Sequence, residues 1–166
     1  MKVLVTYHSN TGNTETLAEA IYEGIEEAEK KLVPMKDVDE LEDFDLLFCG
    51  FPVQACSVPP KAGSFLKQRP PGKAVAILAT HGSYRGGQLA ITAFYEALTL
   101  VSSDRVIGTV GCRGNVKMSL LEDLSKKPEF KGWVAEARSA VQHPDDADLQ
   151  DAKDFARMMT AKARSL

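Results

Sequence analysis

Two almost unbroken apolar runs constrain this chain most strongly, "FDLLFCGFPV" at 44–53 and "KAVAILATH" at 73–81. Neither run alternates apolar with polar residues, so each is typical of a strand buried on both faces of a parallel sheet. Shorter β-prone runs occur at 2–7, 32–38 and 105–112. Because Pro34 has no N–H to donate to a neighbouring strand, the run at 32–38 is predicted to lie at an edge of the sheet.

Amphipathic segments separate these strands. The segment 14–31 carries apolar residues at helical spacing, namely Leu17, Ile21, Ile25 and Ala28. This spacing predicts one helix over 14–31, and similar reasoning predicts helices at 59–68 and 86–101. Strands that alternate with helices predict an α/β fold, in which a parallel sheet has helices on both faces. Right-handed crossovers then give an open, doubly wound sheet.

The remainder of the chain is less regular. Residues 113–143 predict an extension of short helices, and Trp133 is expected to pack within it. A final helix is predicted to open at residues 143–146, where a proline and two acids suit a first turn. Its buried stripe is expected to contain Leu149, Ala152, Ala156 and Met159. No repeat or linker interrupts the chain, so residues 1–166 are predicted to form a single domain.

Composition excludes several classes of protein. The net charge is -3 and no basic run is present, which argues against binding of nucleic acid. No apolar run approaches the roughly 20 residues that span a bilayer, so no membrane segment is expected. The three cysteines, Cys49, Cys56 and Cys112, show no metal-ligand spacing, and no metal site is predicted. An odd cysteine count without an export signal favours reduced thiols and a cytoplasmic location.

Ligands of such sheets bind beyond the carboxyl ends of the strands, where the strand order reverses. Four loops lie at these ends: loop 1 (8–14), loop 2 (51–59), loop 3 (80–88) and loop 4 (111–116). In loop 1, "SNTGNT" stands between the first strand and the first helix. It consists of Ser9, Asn10, Thr11, Gly12, Asn13 and Thr14. A helix N-terminus attracts phosphate, the side chains add neutral donors, and a glycine permits close approach. The lack of lysine disfavours the nucleotide triphosphatase loop.

The stretch "VTYHSNTGNTETLAEAI" resembles the phosphate-binding signature of the flavodoxin family. The matching positions are Val5, Tyr7, Ser9, Gly12, Thr14, Ala18 and Ile21, whereas Thr6 stands where an apolar residue is usual. This resemblance implies a five-stranded sheet of order 2-1-3-4-5. It also implies flavin mononucleotide (FMN) as the cofactor, with its phosphate in loop 1, and electron transfer with redox partner proteins.

The resemblance places the flavin ring at the other loops. In loop 2 the expected ring contacts are Pro52, Val53, Gln54, Ala55 and Cys56, with no aromatic residue among them. In loop 3 they are Thr80, His81, Gly82, Tyr84 and Gly87. Tyr84 has the right type to stack on the ring, and an exposed loop tyrosine is the equal alternative. His81 is a candidate for hydrogen bonding to the flavin or for proton transfer, and a structural hydrogen bond is the equal alternative.

Charge in the ring loops predicts how a bound flavin would behave. They contain no Asp or Glu but carry His81, Arg85 and Arg113. Arg85 is expected to be an exposed cation, and Arg113 a possible contact for a partner or substrate. Typical flavodoxins are acidic near the ring, so the couple that yields the fully reduced flavin is predicted to be less reducing here.

Three functions remain open from the sequence. The first is a single-electron carrier containing FMN, with no catalytic residue of its own. The second is an FMN-dependent reductase of a small molecule or of NAD(P)H. The third is a regulatory module of the same fold without a cofactor.

Overall fold

The elements of the chain alternate as the apolar runs predict. The structure is a computed structural model that describes residues 1–26, 28–101 and 105–166. The strands are β1 (Lys2–Tyr7), β2 (Glu29–Pro34), β3 (Leu46–Pro52), β4 (Ala74–His81) and β5 (Arg105–Arg113). The α-helices are α1 (Asn13–Gly24), α2 (Pro60–Gln68), α3 (Gln88–Leu100), α4 (Met118–Ser125), α5 (Lys131–Arg138) and α6 (Asp146–Arg164). Short 3₁₀ helices occupy Met35–Asp37 and Pro128–Phe130.

The five strands form one parallel sheet in the order β2-β1-β3-β4-β5. This confirms the predicted doubly wound sheet, its order and the edge position of the strand containing Pro34. The order reverses between β1 and β3, because the chain runs outwards from β1 to β2 and then returns to the other side. Loops 1 and 2 therefore leave the sheet side by side, at the switch point where such folds bind ligands.

Side chains alternate between the two faces of the sheet and build two cores. On one face α1 and α6 cover the sheet, with Leu17 and Phe155 packed near Phe48. On the other face α2 and α3 place Leu66 and Ala97 against the neighbouring residues of the strands. Burying a side chain such as Phe48 contributes about 1.5–3 kcal/mol to the stability of the fold. Since β3 and β4 are covered on both faces, their sequences are almost entirely apolar, with Thr80 and His81 at the end of β4 as polar residues.

The predicted helix over 14–31 is wrong in its second half, and the predicted strand at 32–38 begins too late. Helix α1 ends at Gly24, and β2 already starts at Glu29; residue 27 lies outside the described residues. Gly24 lies at the crossing with α6, where a Cβ would stand 2.5 Å from the carbonyl oxygen of Lys153. Ile25, in extended backbone, and Ala28, in a bend before β2, contact the same core, which explains the misleading helical spacing.

The region after β5 contains the predicted short helices. Trp133 packs in a small cluster with Leu121, Val134 and Ala137, which confirms its packing role. Helix α6 begins where predicted, and its first turn is capped reciprocally by Asp145 and Asp148. Its predicted stripe is buried or half-buried against the α1 face of the sheet. Among the described residues, no helix has the length and apolar character needed to cross a membrane.

Candidate functional site

Loop 1 presents the open N-terminus of α1. Gly12 is the N-cap residue, with a φ of 92°, and no side chain caps the helix there. A Cβ at Gly12 would meet no atom within 4 Å, so the space beside it is open. The hydroxyl oxygen of Ser9 accepts a hydrogen bond from the Gly12 N–H at 3.1 Å, and its own hydrogen remains available. The first turn of α1 thus exposes uncapped N–H groups, as an anion requires.

Two of the predicted donors of loop 1 are bound within the chain. The Thr14 and Thr80 hydroxyl oxygens lie 2.8 Å apart in a buried position, tying α1 to β4. The Asn13 side-chain amide donates to the Asn115 carbonyl at 2.8 Å and to the Thr11 hydroxyl at 3.3 Å. Because an amide has only two N–H hydrogens, the Asn13 side chain has none left for a ligand. The Ser9 and Thr11 hydroxyls, the Asn10 amide and the backbone remain as donors.

Loop 2 folds into a tight two-residue turn. The backbones of Gln54 and Ser57 pair with each other through hydrogen bonds of 3.1 and 2.9 Å. Between them Ala55 has a φ of 47° and Cys56 a φ of 64°, in the left-handed region that disfavours side chains. This conformation costs about 1–2 kcal/mol per residue. Ala55 and Cys56 lie at the tip of the turn and do not line the cleft described below.

Glu96 of α3 holds the base of this turn. Its carboxylate accepts hydrogen bonds from the Ser57 hydroxyl at 2.6 Å and from the Val58 N–H at 2.8 Å. These two bonds lower the pKa of Glu96, so the carboxylate is charged at neutral pH. The strained turn is therefore anchored to a helix.

Loop 3 begins with a buried histidine. The Nδ1 atom of His81 donates to the Ser83 carbonyl at 3.1 Å, which leaves Nε2 without a proton in the neutral ring. Burial is the main cause that lowers the pKa of His81, and Arg113 and Arg85 lower it further. The structural hydrogen bond anticipated from the sequence is therefore present, and a neutral imidazole is favoured near pH 7.

Tyr84 lies outside the cleft as an exposed loop residue, and its backbone is bonded to α5. The Arg113 guanidinium lies 5.2 Å from the centre of its ring, and the Tyr84 N–H donates to the Glu136 carboxylate at 3.3 Å. Arg113 also donates to the carbonyls of Ser83 and Glu136, at 3.2 and 2.6 Å, and to the Ser139 hydroxyl at 2.8 Å. The Arg113 side chain thus joins loop 3 to α5, rather than extending to a partner.

Arg85 is exposed, as expected from the sequence, but it is also paired within the fold. It forms ion pairs with the buried Asp148 and, at 2.9 Å, with Asp151. Burial opposes the charge on Asp148, but hydrogen bonds from the His143 ring, the Asp145 N–H and Arg85 outweigh it and lower its pKa. Loop 3 is consequently fastened to the first turn of α6.

A cleft of about 270 Å³ lies where the four loops meet. Its lining residues are Asn10, Thr11 and Asn13 of loop 1, Pro52, Val53 and Gln54 of loop 2, Thr80, His81 and Gly82 of loop 3, and Gly114, Asn115, Val116, Lys117 and Leu120 beyond β5. Most of the sequence-predicted site residues therefore converge on one cleft. The predicted residues outside this lining are Ser9, Gly12 and Thr14 of loop 1, together with Ala55, Cys56, Tyr84 and Gly87.

Sequence reasoning placed loop 4 at the site but missed its continuation, through which Lys117 and Leu120 complete a wall of the cleft. The end of the fifth strand and the glycines of loop 4 gave a signal for its beginning. Nothing in the sequence indicates that α4 returns towards the sheet. Val116 packs tightly on loop 3, since a Cβ on Gly82 would lie 2.6 Å from it. This described lining contains Lys117 and His81 but no carboxylate.

Comparison with known proteins agrees with this geometry. A family model described as a Flavodoxin domain matches residues 4–157, nearly the whole chain. The chain belongs to the flavodoxin family. Residues 5–21, which carry the signature, and all four loops of the cleft lie within the matched span.

Individual relatives of this flavodoxin-family chain cover its full length. A Clostridioides difficile protein, "Flavodoxin-like domain-containing protein BilS", is 28% identical over 178 residues, with 98% of each chain covered. An Acidovorax ebreus protein, "NAD(P)H dehydrogenase (quinone)", is 26% identical over 197 residues, covering 99% of this chain and 98% of its own. A solved flavodoxin from the domain Archaea superposes with a TM-score of 0.65 at 20% identity and 99% coverage of both chains. The last similarity shows the fold.

Proposed function

We propose that this chain binds FMN in the four-loop cleft and transfers electrons one at a time between redox partner proteins. The observation that carries the proposal is the open first turn of α1 at Gly12, which faces the switch point of the sheet. Uncapped N–H groups, the Ser9 hydroxyl and the Thr11 hydroxyl suit a phosphate group. Residues 52–54 and 80–82 line the remainder of the cleft and suit a flat ring.

FMN, when bound, supplies the redox chemistry, and the chain supplies binding, orientation and local charge. Loop 1 would hold the phosphate with neutral donors. The buried Thr14–Thr80 pair fixes the distance between this loop and β4, so a bound cofactor would meet a rigid frame here. The ion pairs of Arg85 with α6 and the hydrogen bonds of Arg113 to α5 hold loop 3 in place and serve the same purpose.

The charge of the cleft supports a specific redox property. Full reduction adds negative charge to a flavin, and nearby carboxylates oppose that charge. The lining residues among the described part of the chain include no carboxylate and carry Lys117. The couple yielding the fully reduced flavin is therefore expected to be less reducing than is typical of the family. A potentiometric titration that gave a very low second potential would contradict this.

Binding of FMN is tested with two substitutions of the same shape, Gly12→Asn and Gly12→Asp. Both residue types tolerate a positive φ, but only aspartate places a negative charge beside the expected phosphate. Titration of the protein with FMN, followed by flavin fluorescence, should show Gly12→Asp binding about 10-fold more weakly than Gly12→Asn. Riboflavin, which lacks the phosphate, should distinguish the two variants much less. A wild-type protein that is colourless and binds no added FMN would favour the cofactor-less module.

A reductase acting on a small molecule is the second candidate. The observation that favours it is the α4 wall, where Val116 and the exposed Leu120 add apolar surface to the cleft. The name of the Acidovorax ebreus relative points to the same class of reaction. Steady oxidation of NAD(P)H by the purified, FMN-loaded protein with an added quinone would favour a reductase. Reduction only through a partner reductase would favour the carrier.

A further inference from the structure

Three cationic side chains lie at or just beyond the ends of β4 and β5. Two of them already form ion pairs or hydrogen bonds within the fold. Arg85 pairs with Asp148 and Asp151. Arg113 donates to backbone carbonyls of loop 3 and α5. Lys117 is different, because it lines the four-loop cleft and is exposed. Its ammonium group is paired with no carboxylate among the described residues.

Without a ligand in the cleft, the position of Lys117 is electrostatically unfavourable. It is the N-cap residue of α4, and the first turn of that helix contains no acid. The positive end of a helix disfavours a cation, and neither a cap hydrogen bond nor an ion pair compensates here. A negatively charged ligand in the cleft would compensate the unfavourable interaction between the Lys117 ammonium group and the positive end of α4.

The segment that carries Lys117 lies over the end of the cleft expected to hold phosphate. Two residues earlier, the Asn115 carbonyl accepts from the Asn13 side chain at 2.8 Å. Gly114 packs on the same side chain, since its Cβ would stand 2.7 Å from Asn13 Nδ2. Asn13 is the first residue of α1, so loop 4 reaches the open helix N-terminus of loop 1.

We propose that Lys117 contacts the phosphate of FMN and supplies, from the far side of the cleft, the cation that loop 1 lacks. This inference rests on the proposed function. The lysine would complete a phosphate site whose other donors are neutral. It is a binding residue that enters from α4, about one hundred positions along the chain from the signature.

The test compares FMN with riboflavin as ligands of the variants Lys117→Met and Lys117→Arg. Loss of one charge-assisted contact at an exposed position should raise the Kd for FMN about 5- to 10-fold in Lys117→Met. Lys117→Arg should bind FMN within about twofold of wild type, because it keeps the charge. The Kd for riboflavin should change less than twofold in both. The difference for FMN should shrink at high salt.

Two control variants separate a local contact from a general charge effect. Lys126→Met removes a lysine at the other end of α4, outside the cleft lining. Lys131→Met removes an exposed lysine at the start of α5, likewise outside the cleft lining. Both should leave the Kd for FMN within twofold. A weakening by either control that matches Lys117→Met would overturn the assignment.

The remaining outcomes are equally distinct. Equal weakening of FMN and riboflavin would overturn the phosphate contact, because it would indicate a ring contact or a damaged cleft. No change in Lys117→Met, with wild type binding FMN, would overturn this inference and leave the proposed function intact. Failure of wild type to bind FMN would overturn both.

Discussion

The side-chain amide of Asn13 donates to the backbone carbonyl of Asn115 at 2.8 Å and joins the start of α1 to loop 4. Gly114 lies directly against that amide, with no room for a Cβ. Gly114→Ala must therefore displace Asn13 or loop 4, and we expect a loss of about 1–2 kcal/mol in the free energy of unfolding. FMN binding should weaken as well, because the wall of the cleft moves.

The matched control is Gly132→Ala in α5, where a Cβ would meet no atom within 4 Å. Alanine in an open helical position should stabilise the protein by about 0.5–1 kcal/mol. Urea unfolding of both variants measures the difference. A Gly114→Ala variant as stable as wild type would show that the contact is not tight.

The buried Thr14–Thr80 hydroxyl pair should behave as one unit. Thr14→Val keeps the shape of the side chain but leaves the Thr80 oxygen without its partner, at a cost of about 1–2 kcal/mol. The double variant Thr14→Val/Thr80→Val removes both polar groups and should cost clearly less than the sum of the single changes. A double-mutant cycle in urea measures the coupling, and strictly additive losses would argue against the bond.

Cys56→Gly should stabilise the protein by about 0.5–1 kcal/mol. Cys56 has a φ of 64°, and glycine removes the left-handed strain at some cost in entropy of the unfolded chain. Cys56→Ala retains the Cβ and removes only the thiol, so it should be close to neutral. Chemical unfolding under reducing conditions compares the three proteins. An equal gain from alanine and glycine would assign the effect to the thiol instead.

Arg85→Met should destabilise the protein, because it leaves the Asp148 carboxylate, with 2% of its side chain exposed, without its arginine partner. Arg85 is itself half exposed, so we expect about 1–2 kcal/mol rather than the larger loss of a fully buried pair. Arg157→Met removes an arginine that pairs with Glu26 and Asp154 on the surface, and should cost less. Thermal or urea unfolding compares them, and an equal loss would contradict the role of burial.

The pH dependence of stability should depend on His81. Burial holds its pKa below the ordinary value of 6.5, so the unfolded chain binds a proton more readily than the folded one. The stabilising contribution is complete above that ordinary value. It declines as the pH falls from about 6.5 towards the folded pKa. His81→Asn keeps a donor for the Ser83 carbonyl and removes the titration.

We expect the unfolding free energy of wild type to fall more steeply between pH 7.5 and about 5 than that of His81→Asn. Burial and Lys61 also lower the pKa of His8. The variant His8→Asn therefore shows how much of the slope comes from His8 rather than from His81. Parallel profiles for wild type and His81→Asn would contradict the prediction. Urea unfolding at several pH values gives the slopes.

The sequence by itself determined the sheet and indicated which edge of it carries the candidate site. Runs such as 44–53 and 73–81 are apolar because both faces of β3 and β4 are covered. Their burial can therefore be predicted from the local composition. The phosphate-type loop at 9–14 was equally local, since a helix start and its donors adjoin in the chain. The family followed from these residues.

Only the tertiary structure decided where α1 ends and which polar side chains are already bound. Gly24, the last residue of α1, lies where α6 crosses from more than one hundred residues away and leaves no room for a Cβ. Tyr84, Arg85 and Arg113 have the composition of a ligand loop, yet α5 and α6 engage them. The sequence suggests that the Asn13 amide is available to a ligand, but in the fold it donates to the Asn115 carbonyl. Spacing along the chain predicts local conformation, but the partner of a side chain depends on what the fold brings beside it.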